Sequence, residues 1–398
     1  MSVIAPGSHG GATHVLEVAG ELSKLGHELH VVCARAKADE PAKITLPIEG
    51  GLPIQFYRFR RSDKIALLRY PAIAKLAQKL KPELIMERYY NFAGAAMLYA
   101  HRYKLPSILE VNALMVDPPG SLKHRLDGLL GRPLAWWATR QCQWAGRIVT
   151  PLYTTVPPII PRAKIIELPW GANVDRFDAT KISPQELAEL RRELGLPVGA
   201  RVAAFAGSFR HWHGVEKLVE AAFQLVPADP QLYFLLLGGG PELEKLRAQI
   251  KERSLQKRIL TPGPIEHLKI PLYLALADCG VAPFDTSRHL PLRHAGFFWS
   301  PLKIFEYMAM QLPTITINLP PLDQIIRPGQ EGLLFREGDV NDLALVLKEL
   351  LAPDPTATVR RQAMGLSARQ RVVQNFSWAV HSYQLSIISE RLLTKVKF

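Results

Sequence analysis

Short apolar runs alternate with amphipathic stretches along almost the whole chain, and that alternation leaves few folds open. In the first half, residues 3–6, 27–34, 84–87, 107–111, 147–152 and 164–168 read as strands. In the second half, residues 202–208, 232–237, 258–261, 279–284 and 314–318 do the same. Helical periodicity fills most of the gaps. Val15, Leu16, Ala19, Leu22 and Leu25 fall on one face of a helix over 12–25, and further helices are expected over 215–226, 242–254 and 301–310. Strands alternating with helices imply parallel sheets joined by right-handed crossovers. Two such series imply an α/β protein of two Rossmann-like domains.

The boundary is expected in 171–198, giving a first domain over 1–175 and a second over 176–375. A long helical tail runs from Thr356, with Ser377 able to cap a new helix at Trp378. Its last part, 376–398, is expected to pack back on the first domain. In open parallel sheets ligands bind outside the carboxyl ends of the strands, so chemistry is expected in post-strand loops and in the cleft between the two domains.

Composition narrows the class. At 48% hydrophobic and 21% charged, the 398-residue chain is neither disordered nor fibrous. No apolar run approaches the roughly 18 residues that would span a bilayer; the run 272–284 is interrupted by Asp278. Met1 to Pro6 is too short for a signal-peptide core. Cys33, Cys142 and Cys279 make no disulfide framework and no paired metal motif, which suits a reducing cytoplasm, and Cys33 and Cys279, in apolar strand-like runs, read as small core residues. The net charge of +13 is uneven. Residues 1–170 hold 22 Lys and Arg against 13 Asp and Glu, while the remainder holds 27 against 23. That surplus points to an anionic partner of the first half.

Several constellations carry chemistry. In SPLKIFEYMA (300–309), Ser300 reads as an N-cap, Pro301 as the first helical residue and Leu302 as the next. Such a helix start is a ready phosphate site. Lys303 adds a charge there, and Glu306, three residues on, suits sugar hydroxyls; a capped helix with a surface Lys–Glu pair fits the spacing equally well. The loop GSFRHWHG (207–214) offers Arg210 as a diphosphate clamp and Trp212 as a stacking surface, or simply a surface charge and a lid over the core. Gly10 and Gly11, in a loop lacking dinucleotide spacing, and the run around Gly239 permit close backbone approach or plain tight turns. Glu110 and Asn112, like Glu87 and Arg88, lie at strand ends where an acceptor could be touched. The histidines form no zinc pair, and no nucleic-acid motif occurs. Residues 122–147 interleave Lys123, Arg125, Arg132 and Arg140 with leucines, Trp136 and Trp137, the pattern of a membrane-touching helix or of a buried helix pair broken at Pro133.

Together these segments resemble a family 4 glycosyltransferase of the retaining, group 1 type with the GT-B fold. The carrying residues are Gly10 and Gly11, LGHELHVV (25–32), LPWGANVDRF (168–177), GSFRHWHG (207–214), GGGP (238–241) and SPLKIFEYMA (300–309). The resemblance covers nearly the whole chain, and the last motif is the most specific.

The resemblance implies that the second domain holds a nucleotide-diphosphate sugar. Glu306 would bind the ribose. Lys303, Ser300, Pro301 and Leu302 would hold the diphosphate, with Arg210 as the other clamp and Gly10 and Gly11 approaching from the opposite domain. His213 and Gly239 would belong to the donor loops. The sugar would pass with retention, without a metal or a separate cofactor, to a glycan or lipid-linked acceptor met by Glu110 and Asn112. The expected role is polysaccharide or glycolipid assembly in the cytoplasm. The charge surplus of the first half and the Trp136–Trp137 segment add an anionic membrane face, and with no motif for it nucleic acid is not expected as a partner.

Two positions depart from the family pattern. Phe298 stands where a glutamate is usual, and His213 where a lysine is usual. They keep two other readings open: an inactive GT-B protein that binds nucleotide sugar or glycan, and a GT-B-like sugar-nucleotide epimerase.

Overall fold

The structure, a computed structural model, describes residues 10–35, 39–60 and 66–396. The expected strand at 3–6 and residues 7–9 of the first glycine loop lie outside the described residues. The chain divides into two compact units. One comprises Met1–Trp170, His294–Ser300 and Trp378–Phe398; the other comprises Gly171–Arg293 and Pro301–Ser377. The boundary thus falls at Gly171 rather than after residue 175, and 294–300 groups with the first unit. A contiguous cut could not express that, because the chain returns to its first unit twice.

In the first unit, β1 (His30–Arg35) and β2 (Lys43–Leu46) flank β3 (Ile54–Arg60), with β1 parallel and β2 antiparallel to it. A separate parallel sheet runs in the order β4 (Ile85–Arg88), β5 (Ser107–Glu110), β6 (Arg147–Thr150) and β7 (Ile165–Glu167). Phe56 and Ile54 of β3 meet Ala12 and Ala19 of the helix Gly10–Lys24 in one core cluster. The same helix packs against Trp378–Val396. Residues 122–147 form neither one helix nor a buried pair. Gly131 and Arg132 take left-handed conformations, and the chain turns between Leu122–Leu129 and Pro133–Trp144. Buried Asp127 fixes that turn by accepting from the N–H groups of Leu134 and Ala135.

In the second unit six parallel strands run in the order β10 (Ile259–Gly263), β9 (Leu232–Leu237), β8 (Arg201–Ala206), β11 (Cys279–Ala282), β12 (Thr314–Ile317) and β13 (Gly332–Phe335). Strands are added outward in one direction from β8 and in the other from β11, so the winding reverses between these two. That switch point is where doubly wound sheets open a crevice for ligands.

The helix Leu302–Ala309 rises beside it. Ile304, Phe305, Tyr307 and Met308 are fully buried, and the Tyr307 hydroxyl accepts from the N–H of Ala206, the last residue of β8, at 2.7 Å. Gly280 in β11 makes room for this ring: a Cβ there would lie 2.3 Å from it. The helix therefore sits at the sheet only because one neighbour lacks a side chain and another lends its backbone.

The start of that helix differs from the sequence expectation. Pro301 is the cap residue, with no side-chain capping bond, and the helix begins at Leu302. Ser300 does not cap it, because its Oγ instead accepts from the backbone N–H of Trp170 at 2.9 Å. With Pro301 supplying no N–H, the first free helix donors are those of Leu302 and Lys303.

Candidate functional site

Lys303 is buried at the switch point. Its amine lies 4.1 Å from the ring centre of Phe205 in β8 and 5.2 Å from that of Phe284, two residues beyond β11. A Cβ on Gly207, the first residue after β8, would approach it to 2.7 Å. The surface Lys–Glu pair is therefore excluded. Burial among these rings pulls the Lys303 pKa down to about 7, against a small upward pull from Glu306.

His213 contributes differently from a second lysine. Its Nδ1 lies 3.3 Å from Lys303 Nζ, within reach of a donated hydrogen bond. Burial, then Lys303, then Arg210 drive its pKa down to about 2, so the ring is neutral throughout the physiological range. With Nδ1 accepting, Nε2 carries the hydrogen and can itself donate. His213 orients Lys303 and offers an N–H where a cation would repel it. Arg210 is exposed, and its guanidinium lies 5.1 Å from the Trp212 ring centre.

The loops around this point interlock. A Cβ on Gly238 would lie 1.9 Å from the Gly207 carbonyl oxygen, and one on Gly214, at φ +67°, would lie 1.6 Å from that of Pro283. Gly239 accepts from the Phe209 N–H at 2.9 Å. Glycines here let three post-strand loops meet backbone to backbone. Glu306 sits one turn beyond Lys303, and its Oε1 meets His267 Nε2 at 2.9 Å. His267 follows β10 and packs on Phe177, with ring centres 5.6 Å apart. No sequence motif marked His267; only its approach to Glu306 of the helix Leu302–Ala309 reveals it.

The structure brings Arg210, His213, Gly239, Lys303, Glu306, Pro301 and Leu302 into the second unit. Ser300 groups with the first. Gly10 and Gly11 open the helix Gly10–Lys24.

Glu110 and Asn112 belong to a polar cluster inside the first unit. Glu110 is buried, with His14 Nε2 2.7 Å from its Oε1. Burial alone would raise its pKa; His14 and then Arg88 outweigh that and hold it at about 2. Asn112 Oδ1 accepts from the Trp170 indole N–H at 2.9 Å. Trp170 in turn lies against His14 and under the Arg88 guanidinium. Both candidate acceptor residues are thus engaged with neighbours, and His14 and Arg88 join them.

Comparison with known proteins agrees with this architecture. A family description, Glycosyl transferases group 1, matches residues 187–371, and another, Glycosyltransferase Family 4, matches residues 8–155. A D-inositol 3-phosphate glycosyltransferase of Corynebacterium jeikeium is 30% identical over 234 residues, covering 56% of this chain and 51% of the relative. A GDP-mannose-dependent monoacylated alpha-(1-6)-phosphatidylinositol monomannoside mannosyltransferase of Corynebacterium glutamicum is 29% identical over 222 residues, covering 56% and 55%. The chain spans about half the length of these curated relatives. A glycosyltransferase of Rickettsia africae has the same fold, with a TM-score of 0.74 at 18% identity over 98% of this chain and 97% of that one. With one half matched by each family description and the fold shared end to end, the chain belongs to the group 1, family 4 glycosyltransferases and has the GT-B fold.

Proposed function

We propose that this protein transfers a sugar from a nucleoside-diphosphate donor to a glycan or lipid-linked acceptor, with retention and without a metal ion at the diphosphate. The carrying observation is a lysine amine buried at the switch point of a parallel sheet, beside a helix start and a neutral histidine N–H. Breaking the bond between the anomeric carbon and the phosphate oxygen builds negative charge on that oxygen. Lys303, the first N–H groups of its helix and His213 stabilise the charge as it forms, and the exposed Arg210 adds a second cation. The acceptor oxygen then bonds to the anomeric carbon from the same face, and its proton passes to the departing phosphate oxygen. No carboxylate nucleophile is needed. Glu306 holds the ribose.

The test is a thermal-shift and turnover screen of nucleoside-diphosphate sugars. A donor that binds the native state alone raises the melting temperature by mass action. The expected result is one preferred base and sugar, hydrolysed slowly alone and transferred when acceptor is added. Binding without turnover across acceptors would instead favour an inactive protein, and conversion of the donor to an epimerised sugar with no acceptor would favour an epimerase.

A lipid-linked acceptor fits the helical turn of residues 122–144. Leu129 and Leu130 are 83% and 74% exposed at its tip, with Leu122, Leu126 and Trp136 also exposed beside Lys123, Arg125 and Arg132. Among the described residues no helix is long and apolar enough to cross a membrane. This turn reads as a surface anchor: leucines enter the headgroup boundary while cations meet anionic lipid. Vesicle co-sedimentation is expected to rise with anionic lipid content and fall with salt. Each fully buried leucine contributes about 1.5–3 kcal/mol, so Leu129→Ser with Leu130→Ser weakens binding at least tenfold. Binding indifferent to both lipid charge and salt would remove this anchor.

A further inference from the structure

The polar cluster of the first unit has a property that sugar transfer does not use. Glu110 of β5, His14 of the helix Gly10–Lys24 and His381 of the helix Trp378–Val396 bring one ligand atom each to within 4.8 Å of one another, and all three are buried. Among the described residues they are the one grouping of histidine, cysteine and carboxylate close enough to share an ion.

The hydrogen bonding of this group is incomplete. His381 Nδ1 meets the Pro169 carbonyl oxygen at 2.8 Å, so it carries the hydrogen and Nε2 carries the lone pair. That Nε2 is buried with no hydrogen-bond partner, and His14 Nε2 likewise makes no well-aligned hydrogen bond. Yet His14 Nε2 lies 2.7 Å from a Glu110 oxygen. At that distance a proton, or a cation in its place, has to sit between the two atoms. The unpartnered His381 Nε2, buried beside the His14–Glu110 pair, is costly as it stands and gains a partner once a cation takes the place of the proton that the pair shares.

We propose that His14, Glu110 and His381 bind one divalent transition-metal ion, and that the ion ties the Gly10–Lys24 helix, β5 and the C-terminal helix together. Two imidazoles and a carboxylate suit zinc best among common ions. The Pro169 carbonyl supplies the outer hydrogen bond that aims a ligating histidine. Zinc bonds of about 2.0–2.2 Å require the widest spacing to close by on the order of 1 Å, a small ring adjustment. Arg88 opposes the ion: its Nη1 lies 3.5 Å from His14 Nδ1. The site is structural and separate from the Lys303 chemistry, so its test does not depend on sugar transfer.

The full chain, without a histidine tag, is produced in zinc-supplemented medium, desalted and assayed for metal by mass spectrometry. One zinc ion per chain is expected to be retained. Retention falls at least tenfold in His381→Ala and in Glu110→Gln, and persists in His124→Ala, whose histidine lies outside the cluster. Arg88→Gln tightens retention against a competing chelator, because it removes the opposing charge. Cobalt in place of zinc gives the visible absorption of a low-coordinate site, which a misfolded variant cannot imitate. Wild-type protein that retains no zinc and gains no melting temperature when zinc is added overturns the proposal. Retention unchanged in both His14→Ala and His381→Ala overturns it as well.

Discussion

Replacing Lys303 with methionine is expected to lower sugar transfer by about 10²–10³-fold, the usual effect of deleting one group aimed at developing negative charge. The same substitution is expected to make the protein melt higher. Methionine fills nearly the same volume against Phe205 and Phe284, and it removes an amine that is buried among rings when no donor is bound. A residue that weakens the fold and serves the reaction separates the two readouts. Turnover unchanged in this variant removes Lys303 from the mechanism; turnover lost together with cooperative melting points to general damage instead.

The pH dependence follows from the same burial. The folded pKa of Lys303 is about 7, below its ordinary 10.5, so the unfolded chain binds the proton more tightly than the folded one. Below pH 7 both states hold the proton, and the native state carries the whole penalty of a buried charge. Between pH 7 and 10.5 only the unfolded state holds it, so stability rises with pH by a few kcal/mol across that window and then levels off. Measured as the difference between wild type and Lys303→Met, the slope isolates this one group. Diphosphate reverses the balance: its charges restore the ammonium form, so donor binding takes up a proton and weakens as pH rises above 7. Equal slopes in the two proteins would mean that the amine keeps its charge when buried.

Five of the six strands of the second sheet were legible, most clearly where they are buried along their whole length and read as continuous apolar runs: Leu232–Leu237 matches residue for residue, whereas the short Gly332–Phe335 was not read as a strand. The first unit was harder. In β3, buried Ile54 and Phe56 are followed on the same face by the basic Arg58, which breaks the apolar alternation, and in Lys43–Leu46 the pattern is shorter still, so neither strand stood out. The Lys303 helix was visible from its motif, but Ser300 was misread. A serine before a proline-started helix suggests a cap, and nothing local reveals that a tryptophan N–H far along the chain claims the hydroxyl. His14, Glu110 and His381 were invisible as a group for the same reason: they come from three elements that only tertiary packing brings together.

Glu306→Gln tests the other half of the donor site, and its signature differs from that of Lys303→Met. A carboxylate accepting from two ribose hydroxyls makes charge-assisted bonds worth about 1.5–3 kcal/mol. The amide keeps the shape but loses the charge and one acceptor, so donor affinity is expected to fall about 10–100-fold while turnover of bound donor changes less. His267 already holds Oε1 at 2.9 Å, so the carboxylate is fixed before the donor arrives and pays little to be ordered. A donor analogue lacking the ribose hydroxyls makes the assignment specific. The wild type should bind that analogue about as weakly as Glu306→Gln binds the natural donor, and the variant should no longer tell the two apart. If the variant still discriminates as strongly as the wild type, the ribose is held by some other group, and Glu306 serves only to anchor His267.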